Sequence, residues 1–191
     1  MKRLFFDTET TGTSPNATIF QIAGYIEING EVAETFNIKS APFSDSEINI
    51  EALEVTGVTL EQIQNYQEPK KAYDELISIF DKYIDKYDKK DKFDIIGHNV
   101  KFDIEKLIIW AKKCGDNYIG SYLNWKRVFD TLAFTQCLKV AGILPETENN
   151  KLLTLCKEFG LDLSHAHDAV YDIEATRDLF YILLEKIGGG K

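Results

Sequence analysis

The sequence has little positive charge for its size. Among its 191 residues, 22 are Lys or Arg and 31 are Asp or Glu, which gives a net charge of −9 at pH 7. Proteins that coat duplex nucleic acid rely on many contacts from Lys and Arg to phosphates, so this balance argues against that class. It leaves open a protein that grips only the end of a strand, because bound divalent cations can supply positive charge beside a phosphate.

Cysteines and long hydrophobic runs are also scarce. The three cysteines, Cys114, Cys137 and Cys156, are far apart and lack a zinc-type spacing, so we expect reduced thiols in an intracellular protein. No apolar run approaches the roughly 18 residues that cross a membrane. The first residues, MKRLFFDTET, reach acidic side chains too early for the core of a signal peptide. We therefore expect a cytoplasmic protein with no membrane partner.

The remaining pattern is one of strands and helices in alternation. It predicts strands over residues 3–7, 20–28, 32–38, 93–97 and 128–129, with a hairpin turn at Asn29-Gly30. It predicts two short helices within 48–65, an apolar helical stripe that follows Pro69 and reaches Tyr87, and further helices over 103–114, 131–140, 152–159 and the last part of the chain. A leading hairpin followed by alternating elements indicates an α/β fold around a mixed sheet. We expect one domain over residues 1–187, with 188–191 as a flexible end.

Acidic residues stand at three places in this pattern, and the first pair ends the first strand. Asp7 and Glu9 are two residues apart, so their carboxylates project from the same side of the strand. Two such acids repel each other unless a cation lies between them or one is protonated. Gly12 follows them in a turn whose backbone can approach a ligand closely. Taken alone, the pair is more typical of a solvated strand end followed by a turn.

The second acidic position is Asp103, which follows the predicted strand that ends at Gly97. Ligands commonly bind at the carboxyl ends of strands in such sheets. The alternative is an acid that only interacts favourably with the dipole of the helix it begins. Nearby, His98 alone is more typical of a hydrogen-bonded structural histidine than of a catalyst.

The third acidic position lies in the segment SHAHDAVYDIEATRD. Asp168 near a helix N-cap would leave His167 on the preceding loop and Asp172 in the first turns of the last helix. A histidine with a pKa near 6.5 can take a proton from water at neutral pH, and His165 competes with His167 for that role. The alternative is a polar helix entry in which Asp172 is a surface acid.

Together, four carboxylates and one histidine match the needs of two-metal phosphodiester hydrolysis. Oxygen-only ligands suit Mg²⁺ or Mn²⁺ better than zinc. The segments FDTETTG, GHNVKFD and HDAVYD, in this order, resemble the three exonuclease motifs of the DEDD superfamily, in its histidine branch. That branch includes the proofreading subunit of bacterial DNA polymerase III, and the resemblance extends over essentially the whole chain.

The resemblance implies a ribonuclease H-like fold, with a mixed sheet of about five strands and helices on both faces. It implies a 3′→5′ exonuclease that uses two divalent cations, Mg²⁺ or Mn²⁺, and releases 5′-mononucleotides. The implied metal ligands are Asp7, Glu9, Asp103 and Asp172, with His167 as general base. The implied substrate-binding residues are Thr8, Thr10, Thr11, Thr56, Asn99 and Phe102.

The implied partner is the 3′ end of a single-stranded nucleic acid, with DNA favoured and RNA left open. A polymerase or another repair protein is a second implied partner, and the oligomeric state is not indicated. The chain ends soon after its last helix, without the long tail by which the proofreading subunit joins its polymerase, which argues against a dedicated replicative proofreader. Two alternatives are a phosphotransferase of the haloacid dehalogenase type, although Glu9 stands where its second Asp belongs, and a non-catalytic nucleic-acid-binding module.

Overall fold

A single mixed sheet of five strands organises the part of the chain that the computed structural model describes, residues 1–161 and 169–188. The strands are β1 (Lys2–Thr10), β2 (Ile19–Ile28), β3 (Glu31–Lys39), β4 (Phe93–Gly97) and β5 (Leu123–Asp130). They lie in the order β3-β2-β1-β4-β5. Strand β2 pairs antiparallel with β1 and β3, whereas β4 pairs parallel with β1 and β5. Asn29 and Gly30 both adopt positive φ angles, 55° and 96°, as a tight hairpin turn requires, so the predicted hairpin is confirmed.

Helices connect the strands and cover the sheet. They are α1 (Ile50–Thr56), α2 (Leu60–Gln64), α3 (Pro69–Phe80), α4 (Val100–Lys113), α5 (Thr131–Val140), α6 (Leu152–Glu158) and α7 (Ala169–Gly188), with a short 3₁₀ turn at Ile119–Ser121. Among the described residues, no helix is long and apolar enough to span a membrane.

The alternation of side chains along β1 builds a core on each face of the sheet. Leu4 and Phe6 point to one face and belong to the large core that α3 and α4 cover. Phe5 points to the other face, where its ring meets that of Phe180 on α7, edge to face, at 5.6 Å. Helices on both faces of a mixed five-stranded sheet are therefore confirmed.

The predicted apolar stripe that follows Pro69 is wrong in its length, because α3 ends at Phe80. Beyond Phe80, aspartate side chains accept hydrogen bonds from nearby backbone N–H groups. Asp85 accepts from the N–H of Tyr87, and Asp88 accepts from the N–H of Lys90. Such local bonds compete with helical ones. The chain turns there, and Tyr87 is exposed.

Three further boundaries differ from the prediction. Strand β1 extends to Thr10, three residues past its predicted end at residue 7. Helix α4 begins at Val100, so Asp103 lies within its first turn and does not start the helix. Strand β5 extends from Leu123 to Asp130, far beyond the two apolar residues that predicted it. Its central side chains are exposed at the edge of the sheet. The sequence therefore lacks the alternation of apolar and polar residues that would have predicted the full length of the strand.

Candidate active site

The carboxyl ends of the three parallel strands meet at one edge of the sheet. Phe5 of β1 pairs with Ile96 near the end of β4, and Gly97 of β4 pairs with Asp130 at the end of β5. Strand β1 continues past this level to Thr10. The side chains that follow Phe6 therefore stand above the ends of the neighbouring strands, where ligands bind in open α/β sheets.

Three of the four predicted metal-binding carboxylates line one cavity at this edge. Asp7 and Glu9 project from β1, and Asp172 projects from the first turn of α7. The cavity has a volume of about 270 Å³. The rest of its lining is Thr8, Val55, Thr56, His98 and Leu152. The strand periodicity and the helix entry inferred from sequence thus bring these acids together.

The fourth carboxylate, Asp103, does not line the cavity and is 3% exposed. Its Oδ1 atom accepts two hydrogen bonds from Thr8, from the backbone N–H at 3.0 Å and from the hydroxyl at 2.7 Å. Burial and the charge of Asp7 raise the pKa of Asp103 well above its usual range, while the bonds from Thr8 act in the opposite direction. Helix α4 is thereby tied to β1 at the site.

The four acids share one electrostatic environment. Burial, followed by the charges of Glu9 and Asp172, raises the pKa of Asp7 from 3.8 to about 7. Burial, followed by the charges of Asp172 and Asp103, raises the pKa of Glu9 from 4.5 to about 7. The cluster therefore favours any positive species that enters it, either a proton or a divalent cation.

The donor chemistry of the cluster fits a hard divalent cation. Carboxylate oxygens are the protein ligands that Mg²⁺ and Mn²⁺ prefer. Over residues 1–161 and 169–188, however, no three His, Cys, Asp or Glu side chains are already arranged closely enough to hold a metal ion. The residues thus fit such an ion by type and by location, since Mg²⁺ is commonly held by one or two carboxylates together with water.

The two predicted substrate-binding threonines that line the cavity are Thr8 and Thr56. Thr10 and Thr11 do not line it. Thr10 Oγ1 donates to the carbonyl of Gly12 at 2.9 Å, and Thr11 Oγ1 donates to the carbonyl of Glu47 at 2.6 Å. Both hydroxyls shape the chain that follows β1, and a direct contact between them and a nucleotide stays a prediction.

The remaining predicted substrate residues stand at the start of α4. Asn99 is exposed and adopts a left-handed conformation (φ 59°), and its backbone N–H donates to Asp130 Oδ1 at 2.8 Å. The ring of Phe102 is half-buried, with Nζ of Lys106 5.4 Å from its centroid. Neither residue lines the cavity.

His98 has the structural role that its sequence context indicated, and it also forms a wall of the cavity. Nε2 lies 3.0 Å from the carbonyl oxygen of Asn150, and Nδ1 lies 2.9 Å from Thr131 Oγ1. A carbonyl only accepts, so the neutral ring donates from Nε2 and leaves Nδ1 as an acceptor. The Thr131 hydroxyl faces Nδ1, and its single proton also lies within reach of the Gly97 carbonyl, at 3.2 Å. Burial lowers the pKa of His98, which favours this neutral form.

Sequence reasoning missed two apolar wall residues. Val55 is the penultimate residue of α1, directly before Thr56, and is 70% exposed; Leu152 begins α6. A signal for Val55 was present, since it immediately precedes a threonine already assigned to the site. For Leu152 there was none, because the loop of residues 144–151 brings it to the cavity.

The predicted general base and its competitor lie outside the described residues. His167, His165 and the expected N-cap residue Asp168 fall within 162–168, and helix α7 is described from Ala169 onward. The assignment of His167, and with it the histidine branch, stays a prediction.

Comparison with known proteins agrees with this architecture. Residues 4–180 match the model of the RNase_T family, described as exonuclease. The PolC-type DNA polymerase III of Bacillus subtilis (strain 168) is 32% identical over 183 residues, and that of Bacillus cereus is 28% identical over 183 residues. Each alignment covers 95% of this chain but only 11% of the polymerase.

Solved structures share the fold. Escherichia coli Exonuclease I in complex with a dT13 oligonucleotide is 24% identical, with a TM-score of 0.77 over 97% of this chain and 41% of that one. The zinc-bound form of the Exonuclease I–ssDNA complex is 23% identical, with a TM-score of 0.78 over 97% and 40%. This likeness confirms a ribonuclease H-like fold, and the family match excludes the haloacid dehalogenase alternative. The chain belongs to the RNase_T exonuclease family, within the DEDD superfamily.

Proposed function

We propose that this domain is a 3′→5′ exonuclease that hydrolyses the terminal phosphodiester bond of a single-stranded nucleic acid and releases 5′-mononucleotides. The observation that carries the proposal is the convergence of three carboxylates from β1 and α7 on one cavity at the carboxyl edge of the sheet, with the fourth, Asp103 of α4, hydrogen-bonded to Thr8 of the cavity wall. Family membership sets the class of reaction, and this cluster supplies the groups that it needs.

Asp7, Glu9, Asp103 and Asp172 would hold two divalent cations, Mg²⁺ or Mn²⁺. When bound, such ions supply an activated water, stabilise the leaving 3′ oxygen and neutralise charge at phosphorus. Thr8 fixes the rotamer of Asp103 through two hydrogen bonds. His167 would accept a proton from the attacking water, as the histidine-branch motif implies.

The walls of the cavity support binding of a strand end and not of a duplex. A volume of about 270 Å³ lies near the lower end of ligand pockets. Val55 and Leu152 offer apolar surface for a terminal base, while Thr8 and Thr56 stand beside them. A net charge of −9 gives little support for long phosphate contacts.

We propose DNA as the favoured strand and a polymerase as a partner. The relatives at 28–32% identity are PolC-type DNA polymerases, in which the matching segment is 11% of the chain. The solved relatives include Exonuclease I bound to single-stranded DNA. The experiment below compares DNA with RNA as the substrate and Mg²⁺ with Mn²⁺ as the metal ion.

The test is degradation of matched 5′-labelled DNA and RNA oligonucleotides of several lengths, with Mg²⁺, Mn²⁺ or EDTA. We expect a ladder that shortens from the 3′ end, 5′-mononucleotides as product, faster loss of DNA, and no cleavage in EDTA or by Asp7→Asn. The matched control is Asp74→Asn, because the Asp74 side chain is 56% exposed on α3 and pairs with Lys70 on the same helix. Oligonucleotide binding without cleavage under every metal condition would instead support the binding-module alternative.

A further inference from the structure

A buried ionic cluster joins α7 to the sheet at the end opposite the cavity. Its centre is Glu27 on β2, whose side chain is 1% exposed. Arg3 Nη1 of β1 donates to its Oε1 atom at 2.6 Å, and Arg177 Nε of α7 donates to Oε2 at 3.1 Å. The Tyr181 hydroxyl, also on α7, lies 2.6 and 2.7 Å from the two oxygens. One carboxylate thus connects β1, β2 and α7.

The cluster and the cavity stand at the two ends of one helix–strand pair. Arg3 Nη1 contacts the Tyr181 hydroxyl at 2.7 Å, while Asp7 and Asp172 line the cavity together. Helix α7 therefore runs antiparallel to β1. The helical rise from Asp172 to Tyr181 is about 13.5 Å, and the strand from Arg3 to Asp7 spans about 13 Å. The two spans match, so fixing one end determines the position of the other.

Most of the buried side chains between these two ends are apolar. Phe5, Ile96, Ile173 and Phe180 form a small core between the sheet and α7. Hydrophobic contact is non-directional, so this core favours packing without specifying the axial position of the helix. The ionic cluster is directional, because a buried carboxylate left without its donors is costly.

We propose that Glu27, Arg3, Arg177 and Tyr181 form a positioning device, the Glu27 anchor, that sets the axial register of α7 on β1 and so holds Asp172 beside Asp7 and Glu9. The anchor touches no reacting atom and acts through Asp172. The inference rests on the proposed function for its catalytic consequence, while the register itself is testable without turnover.

The test variant is Tyr181→Phe, which removes the hydroxyl and keeps a ring that packs edge to face on Phe180 at 5.3 Å. The matched control is Tyr83→Phe, because the Tyr83 hydroxyl also donates to a glutamate, Glu34, at 2.9 Å, but its ring packs on the core that α3 and α4 cover, on the face of the sheet opposite α7. A hydrogen bond to a charged group corresponds to roughly a tenfold change in an equilibrium. We expect Tyr181→Phe to weaken Mn²⁺ binding and to lower kcat by about that factor, with KM little changed. Tyr83→Phe should leave the Mn²⁺ affinity, kcat and KM unchanged.

Two further readouts separate positioning from general stability. In the background of Asp172→Asn, Tyr181→Phe should have no additional effect on Mn²⁺ affinity, since the anchor acts through Asp172. Amide hydrogen exchange over residues 170–176 should accelerate in Tyr181→Phe and not in Tyr83→Phe. Unchanged exchange there, or equal losses of Mn²⁺ affinity in both single variants, overturns the anchor. Absence of nuclease activity in the wild-type protein overturns the proposed function, and the exchange result still decides the anchor.

Discussion

Thr8 donates two hydrogen bonds to a single oxygen of Asp103, one from its backbone and one from its side chain, at 3.0 and 2.7 Å. The two residues are 95 positions apart in the chain. Their contact fixes a buried carboxylate of α4 against the strand that carries Asp7 and Glu9. Thr8 therefore contributes to the site by holding an acid as well as by lining the cavity.

Replacing Thr8 by valine tests this role. The change keeps the shape of the side chain but removes the hydroxyl bond that lowers the pKa of Asp103. We expect kcat to fall by about tenfold, the usual scale of a hydrogen bond to a charged group, and the pH of half-maximal activity to rise. Rates measured between pH 5.5 and 9 check both effects. Thr8→Ser restores the hydroxyl and should restore the rate; an unchanged profile in Thr8→Val would contradict the assignment.

The raised pKa values make the metal-free protein less stable as pH rises. Asp7 has a pKa of about 7 in the folded protein and 3.8 ordinarily, so the folded state binds the proton more tightly than the unfolded one. Its contribution to stability is complete below about pH 4 and is lost as the pH rises to about 7. In EDTA, Asp7→Asn should therefore be more stable than the wild type at pH 8, with the difference vanishing near pH 4. Urea unfolding at several pH values measures it, and a variant less stable at pH 8 would refute the assigned direction.

Divalent cations should reverse the loss of stability that the metal-free protein suffers as the pH rises. An ion that binds only the folded state raises the melting temperature in proportion to the logarithm of its concentration. We expect Mn²⁺ to stabilise the wild type strongly at pH 8 and less at pH 6, where protons occupy Asp7 and Glu9. Calorimetry with and without Mn²⁺ measures the shift. Asp7→Asn should lose most of it, whereas Asp74→Asn, on the surface of α3, should keep it.

The general base is tested by a pair of histidine substitutions. His167→Ala should reduce kcat by about 10²-fold or more, since a positioned base contributes on that scale, while His165→Ala should retain the rate. Steady-state kinetics on a DNA oligonucleotide with Mg²⁺ distinguishes them. Loss of turnover in His165→Ala alone would transfer the role to His165.

The close packing of β2 gives a prediction about stability. A Cβ atom on Gly24 would lie 2.5 Å from the ring of Phe36 and would clash with the carbonyl oxygen of Phe5. Gly24→Ala should therefore destabilise the fold by about 1–3 kcal/mol, as overpacked cores do. Urea unfolding measures the loss. Gly188→Ala is the control, because nothing lies within 4 Å of a Cβ at that position.

Those parts of the site that depend on local periodicity were predictable from sequence. The spacing of Asp7 and Glu9 on a strand determines that they share a face, and the family motifs identified Asp103 and Asp172. The cavity wall was not predictable, because it depends on a distant loop: His98 contacts the carbonyl of Asn150, 52 residues away. Neither the sequence around His98 nor the sequence around Asn150 contains a local pattern that predicts this contact.

Thr10 and Thr11 show a second limit. Their motif indicates proximity to the terminal nucleotide, yet their hydroxyls satisfy backbone carbonyls of the chain around the site. A sequence motif does not distinguish a side chain that contacts the ligand from one that shapes the loop beside it.

Strand β1 lies in the middle of the five strands, bonded on one side to β2 and on the other to β4. Strands in this position are among the last parts of a domain to open, because their exposure requires global unfolding. Asp7 and Glu9, which lie on β1, should therefore stay in place until the whole domain unfolds. Urea should separate Asp7 from Glu9 only when the sheet itself unfolds, and activity that is lost at lower urea concentrations would come from the acids on α4 and α7.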